Sequence, residues 1–106
     1  MNMIAPIRSA DARDSVFGRL QTLIAGRPAS PSAARAEARH LISLAMADTW
    51  QADSLWSAAD AFHAHFDFMM QTIDINGADD QNLRTLRTKC RFYLEEVEAL
   101  CHAMSR

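Results

Sequence analysis

An amphipathic segment between Asp53 and Asp74 constrains the fold more than any other feature of the chain. Seven residues are nearly two α-helical turns, so side chains at that interval drift by only about 20° per step around a helix. Four carboxylates follow this interval: Asp53, Asp60, Asp67 and Asp74. The opposite arc is apolar: Leu55, Ala59, Phe62, Phe66, Met69 and Ile73. The pattern predicts a long helix that must bury one face against other elements.

The composition favours a single all-α domain. Apolar residues make up 49% of the 106 residues and charged residues 23%, which is ordinary for a globular protein. Nineteen alanines against three glycines and three prolines favour helices over strands. We expect residues 9–106 to form a small four-helix bundle. Residues 1–8 lack periodicity, and we expect them to form a flexible N-terminal arm.

Two stop and start signals define the first half of the bundle. Helix one is expected to begin near Ser9 or Asp11 and to end at Gly26. Ser30 followed by Pro31 is typical of an N-cap and the first residue of a helix, which places the start of helix two.

The boundary between helices two and three carries no strong breaker. We predict a turn at residues 48–53, and a kinked continuous helix is the alternative. Asn76 and Gly77 are residue types that helix C-termini prefer, so they are expected to end helix three. Asp79 or Asp80 is expected to cap helix four.

Helix four is predicted to be the most regular element. Its apolar residues alternate spacings of three and four, a pattern typical of bundle or coiled-coil packing. The predicted seam comprises Leu83, Leu86, Cys90, Tyr93, Val97, Leu100 and Met104.

The charges of helix four run against its own dipole, because bases precede acids. The order is Arg84, Arg87, Lys89 and Arg91, then Glu95, Glu96 and Glu98. One interpretation is an antiparallel homodimer in which each basic half meets the other's acidic half. In the alternative, Arg84 and Arg87 pair within the subunit, with Asp80 and with Asp67 or Asp74.

The charge is divided unevenly along the chain. Residues 1–47 carry about +3 and residues 48–106 about −5, and no Lys or Arg lies between Leu41 and Leu83. Nucleic acid is therefore an unfavourable partner for the central surface. A nucleic-acid-binding regulator remains an alternative through the basic set of the first half: Arg8, Arg13, Arg19, Arg27, Arg35 and Arg39.

Cysteine usage and hydropathy indicate a cytoplasmic protein with no membrane contact. Cys90 and Cys101 would lie about 16 Å apart along one helix, too far to form a disulfide, and reduced thiols fit the cytosol. No apolar run approaches the length of a signal peptide core or of a membrane span.

The sequence offers no defensible catalytic, cofactor or metal motif. Asp60, His63 and Asp67 would project from neighbouring turns of helix three, but such residues commonly form surface pairs, and we expect no metal, cofactor or enzymatic activity. A metal or small-ligand site between helices two and three is the alternative. We expect His65 to form a hydrogen bond with a neighbouring helix, and both cysteines to be buried structural thiols.

Aromatic residues exceed the needs of one buried stripe. On a helix centred on Phe62, Trp56 lies about 120° to one side, while Phe68, and Trp50 if it is helical, lie about 120° to the other. These flanks are buried within the subunit or meet a partner chain.

We therefore expect a small helical protein–protein interaction module, homodimeric, that presents an acidic and aromatic surface to another protein. The acidic edge of helix three would attract a basic partner. The candidate interface residues are Trp50, Trp56, Asp60, Asp67, Phe68, Arg84, Arg87, Arg91, Glu95 and Glu98.

Overall fold

Four α-helices account for the fold. The computed structural model describes the backbone of residues 9–106 and the side chains of residues 12–106, so the arm expected at residues 1–8 lies outside the described residues. The helices are α1 (Ser9–Ala25), α2 (Pro31–Met46), α3 (Asp53–Asn76) and α4 (Leu83–Ala103). Residues 9–106 contain no strand, and the predicted all-α four-helix class is confirmed.

The helices close into a bundle in which α3 packs on α2 and α4, while α1 packs on α2 and α4. One core of buried side chains from all four helices fills the centre. None of the helices described here is long and apolar enough to cross a membrane.

Helix α3 supplies the largest share of this core. The predicted apolar arc is confirmed, because Leu55, Phe62, Phe66 and Met69 have no solvent exposure. The rings of Phe62 and Phe66 stack with their centroids 5.7 Å apart. The aspartate ladder occupies the opposite side of the helix, where three of its four members are exposed and Asp67 is partly buried.

The predicted turn between helices two and three is present, and it is anchored by hydrogen bonds. The Thr49 hydroxyl, fully buried, donates to the Met46 carbonyl at 2.7 Å. The chain's last residues pair antiparallel with this turn: the Trp50 amide donates to the Met104 carbonyl at 2.7 Å, and the Arg106 amide to the Asp48 carbonyl at 3.1 Å. Trp50 lies in this loop, as the predicted turn at residues 48–53 implies, and the alternative of a continuous helix that would carry Trp50 on the α3 flank is excluded.

The helix caps agree with the sequence in two places and differ in one. The Ser30 hydroxyl accepts from the Ala33 amide at 3.2 Å, and Gly77 ends α3 with φ +85°, a conformation that favours glycine. Helix α4, however, begins after Asn82, without a side-chain cap. The Asp80 carboxylate instead accepts from the Asn82 amide at 2.7 Å and closes the preceding turn.

The buried seam of α4 differs from the predicted one by a rotation of the helix. Four of the predicted seam residues are only partly buried, at the edge of the core: Leu86, Tyr93, Leu100 and Met104. The buried residues are Leu83, Cys90, Leu94, Val97 and Cys101. The predicted spacing of three and four residues is confirmed. Two adjacent sides of α4 each carry a continuous row of apolar residues, however, and the contacts with α1 and α3 determine which row is fully buried.

Arg87 occupies a position on this buried side, between the turns of Leu83 and Cys90. Its guanidinium donates through Nε to the Ile24 carbonyl at 3.0 Å and through Nη2 to the Gly26 carbonyl at 3.2 Å. These carbonyls lie at the C-terminal end of α1, where positive charge is favoured. Arg87 thus connects α4 to the end of α1. The intramolecular alternative, in which Arg87 pairs with a carboxylate of α3, is wrong for this residue.

We predict that Arg87→Ala lowers the free energy of unfolding by about 1–2 kcal/mol, because two charge-assisted hydrogen bonds to helix-end carbonyls are lost. Arg84→Ala is the matched control: Arg84 lies on the same helix, exposed and without an ion pair among residues 12–106, so its loss changes stability by less than about 0.5 kcal/mol. Urea denaturation at one protein concentration measures both, and equal effects contradict the role assigned to Arg87.

Candidate partner-binding cleft

Six large apolar side chains are half or more exposed although the core is complete without them. Among the described residues these are Leu44, Trp50, Trp56, Phe68, Ile75 and Phe92, with exposed fractions between 50% and 70%. Four of them are aromatic, and aromatic residues are enriched at protein–protein interfaces relative to the rest of the surface.

A cleft of about 180 Å³ opens between α2 and α3 beside Trp56. We call it the Trp56 cleft. Its α2 side is lined by Ile42, Ser43 and Met46, followed by Ala47, and its α3 side includes Ala59 and Trp56. The facing helices leave a space that Trp56 borders but does not fill. Gln51 from the loop and two titratable residues of α3, Asp60 and His63, supply the polar lining.

His63 is the partly buried titratable group of this cleft. Its pKa is lowered from the usual 6.5, first by burial and second by the Arg39 charge, against the opposing effects of Asp67 and Asp60. The imidazole is therefore neutral at pH 7. Arg39 is itself held by Asp67, with Nη2 2.6 Å from the carboxylate.

Asp60 gives the Trp56 cleft its negative charge. This side chain is exposed and forms no ion pair within residues 12–106. The cleft therefore combines an aromatic wall, a neutral histidine and one free carboxylate.

Asp60, His63 and Asp67 do not assemble into a metal-ligand group. Among the described residues one such group converges, Asp14, Glu98 and His102, whose donor atoms lie within 4.8 Å of one another. His102 Nε2 is 3.8 Å from Asp14 and 3.9 Å from Glu98, distances that also suit an exposed ion pair between α4 and α1. Sequence analysis missed this group because α1 and α4 meet only in the fold; the spacing of Glu98 and His102 was the one available signal.

The candidate interface residues fall on separate surfaces. Trp56 and Asp60 line the Trp56 cleft, whereas Phe68 lines grooves between α3 and α4 on the other flank of α3. Trp50 lies in the loop with the Arg106 guanidinium 5.0 Å from its ring. Three candidates are engaged within the chain: Asp67, Arg87 and Glu98. Three are exposed on α4: Arg84, Arg91 and Glu95.

The arginines of the first half form no continuous basic surface in the described part of the chain. Arg13 is buried, with 4% exposure, and Arg35 is partly buried. Three others pair with carboxylates: Arg19 with Glu37, Arg27 with Asp79 and Arg39 with Asp67. Arg8 lies outside the described residues.

The two cysteines and His65 serve packing. Both thiols are free and buried, and burial raises the pKa of Cys90 to about 12 and raises that of Cys101 as well. His65 Nδ1 lies 2.7 Å from the Ala61 carbonyl of its own helix. Its contact with the neighbouring helix is a ring stack on Tyr93, not the predicted hydrogen bond.

The chain was compared with known protein families, with curated proteins and with solved structures, and no match was found. We infer function from the Trp56 cleft and from the exposed aromatic side chains.

We predict that His63 titrates below pH 6.5 in the folded protein, since burial disfavours its charged form. The unfolded chain then binds this proton more readily, so stability falls as the pH drops below 6.5. Asp60→Asn lowers the His63 pKa further because it removes a favourable negative charge. NMR titration of the ring protons measures both values, with Asp53→Asn as a control that leaves the pKa unchanged; titration above 6.5 contradicts the burial of His63.

Proposed function

We propose that the protein is a small helical interaction module that binds another protein by accepting one of its apolar side chains in the Trp56 cleft. The observation that carries this proposal is the half-exposed Trp56 beside an unfilled cleft of about 180 Å³. The proposed activity of the protein is binding. Roles of this kind include adaptor, chaperone, antitoxin or immunity protein, and anti-regulator.

The size of the cleft supports a side chain as its occupant. An apolar cavity of about 150 Å³ holds one benzene molecule, so the Trp56 cleft accommodates one aromatic or branched aliphatic group. Sites for drug-sized ligands run from about 300 to 1,000 Å³, which makes a small-ligand module the weaker alternative. Tryptophan is one of the residue types enriched among binding hot spots.

Charge supports a basic partner. Asp60 lies free at the cleft, and two exposed carboxylates on the same helix, Asp53 and Asp74, extend the negative surface. A cationic residue beside the inserted apolar group would meet Asp60 without competing with a bound arginine. The nucleic-acid alternative receives less support, because the described arginines of the first half are largely paired or buried.

We place this activity in the cytoplasm, because both cysteines are free buried thiols, as the reducing cytosol favours.

The proposal is tested with peptides selected on the immobilised protein from a random display library at moderate salt. We expect the selected peptides to be amphipathic helices with one apolar anchor flanked by Lys or Arg. In a Trp50→Phe background Trp56 is the single tryptophan, so a shift of its emission to shorter wavelength reports insertion directly.

Trp56→Ala is expected to weaken binding of the selected peptides by about thirtyfold or more, as loss of a hot spot does. Trp50→Ala, which removes a still more exposed tryptophan outside the cleft, leaves the affinity unchanged. Isothermal titration calorimetry measures both variants. Peptides that bind Trp56→Ala as tightly as the wild type would rule out the cleft as the binding site.

A further inference from the structure

The outward face of α4 is centred on Phe92. At about 100° per residue, the buried residues of α4 lie within about 40° of the direction opposite Phe92. The outward side chains are all exposed, and Phe92 itself has 58% exposure. We define the Phe92 face as Thr85, Thr88, Lys89, Phe92, Glu96 and Ala99.

Phe92 faces solvent and contacts a neighbouring aromatic ring. Its ring packs edge-on against Tyr93 with centroids 5.1 Å apart, and Tyr93 stacks on His65 of α3 at 4.2 Å. Phe68, also more than half exposed, lies beside this row and borders a groove with Leu86 and Lys89. Aromatic side chains are enriched at protein–protein interfaces, which favours Phe92 and Phe68 as contact residues.

We propose that a second copy of this chain covers the Phe92 face, with the two α4 helices antiparallel about a two-fold axis near Phe92. A two-fold axis perpendicular to the plane of the two helices reverses their direction but keeps each flank on the same side. The α3 helices of both copies then lie on one side of the pair and the α1 helices on the other.

Charge complementarity identifies the second copy as the occupant. Lys89 lies about 60° from Phe92 toward α3, one turn before it, and Glu96 lies about 40° to the same side, one turn after it. The two-fold axis therefore brings Lys89 of each copy opposite Glu96 of the other, and the contact occurs twice. Neither side chain forms an ion pair within residues 12–106.

Small side chains allow the helices to approach at both ends of this contact. Thr85 and Ala99 lie about 20° on either side of the Phe92 direction, two turns before and after it, so they meet each other across the pair. The pairing also replaces the one expected from Arg84 and Arg87, because Arg87 is bound to α1.

The Phe92 face and the Trp56 cleft lie on different sides of the molecule. Trp56 borders α2, whereas the Phe92 face and Phe68 belong to the α4 side of α3. Dimerisation therefore leaves the cleft open, and each of the two proposals can be contradicted without affecting the other.

The test is the molar mass of the full chain in solution at about 5 µM and about 500 µM, which bracket the dissociation constants of small, partly polar interfaces. Light scattering coupled to size exclusion is expected to show a mass approaching twice 11.8 kDa at the higher concentration. Lys89→Glu and Glu96→Lys each place like charges opposite one another, and each is expected to weaken the dimer about a hundredfold or more.

Mixing the two variants provides the decisive measurement. In a dimer of one Lys89→Glu copy and one Glu96→Lys copy, positions 89 and 96 of opposite copies again carry opposite charges, so an equimolar mixture is expected to dimerise. A variant that carries both substitutions restores the opposite charges in the same way and is also expected to dimerise. Recovery also shows that neither single variant had unfolded. A wild type that stays monomeric at both concentrations, single variants that remain dimeric, or a mixture that stays monomeric would each overturn the Phe92 dimer. Peptide binding to Lys89→Glu reports the Trp56 cleft independently.

Discussion

The burial of one stripe of α3 is the constraint on which the rest of the structure depends. Phe62, Phe66 and Met69 are fully enclosed, and they are reached by α2 on one side and α4 on the other. Helix α1 has no contact of comparable extent with α3; it completes the enclosure by packing on α2 and α4. Hydrophobic stabilisation grows with the apolar area removed from water, so α3, which has more buried residues than any other helix, contributes more to the core than any other single helix. Surface ion pairs adjust the fold without determining it.

The polar contacts mainly align neighbouring helices with one another. Arg19 joins α1 to α2 through Glu37, and Arg39 joins α2 to α3 through Asp67. The contact of Arg87 with the end of α1 differs in kind, because it satisfies helix-end carbonyls with a half-buried cation. It also removes the best-placed basic residue of α4 from any role in recognition. The charge order of this helix, which its own dipole disfavours, is therefore explained partly by a tertiary contact and partly, in our proposal, by the second copy.

The sequence predicted what local periodicity and capping determine. The α3 stripe, the Ser30 cap of α2 and the end of α3 at Gly77 each depend on residues within a few turns, and each is confirmed. The α4 seam was displaced because Leu86 and Tyr93 continue the apolar row toward α3, and periodicity alone cannot choose between two adjacent rows. The sequence predicts the turn at residues 48–53 but not its pairing with Met104 and Arg106, because those residues lie far away in the chain. The Trp56 cleft likewise forms between residues of α2, the loop and α3 that only the fold brings together.

The buried core includes neither Trp56 nor Phe92, so the residues that stabilise the fold differ from those that we propose for recognition. Replacing an exposed side chain outside the core usually changes stability by less than about 0.5 kcal/mol, whereas truncating a core phenylalanine such as Phe62 costs about 3–5 kcal/mol. Exposed tryptophan and phenylalanine therefore contribute little to the isolated subunit and leave apolar area in contact with water. A long helix between two neighbours has two outer flanks, and here each flank carries a half-exposed aromatic, Trp56 toward α2 and Phe68 toward α4. That distribution suits a module whose two flanks meet different partners, one accepting a foreign side chain and the other lying beside a copy of itself.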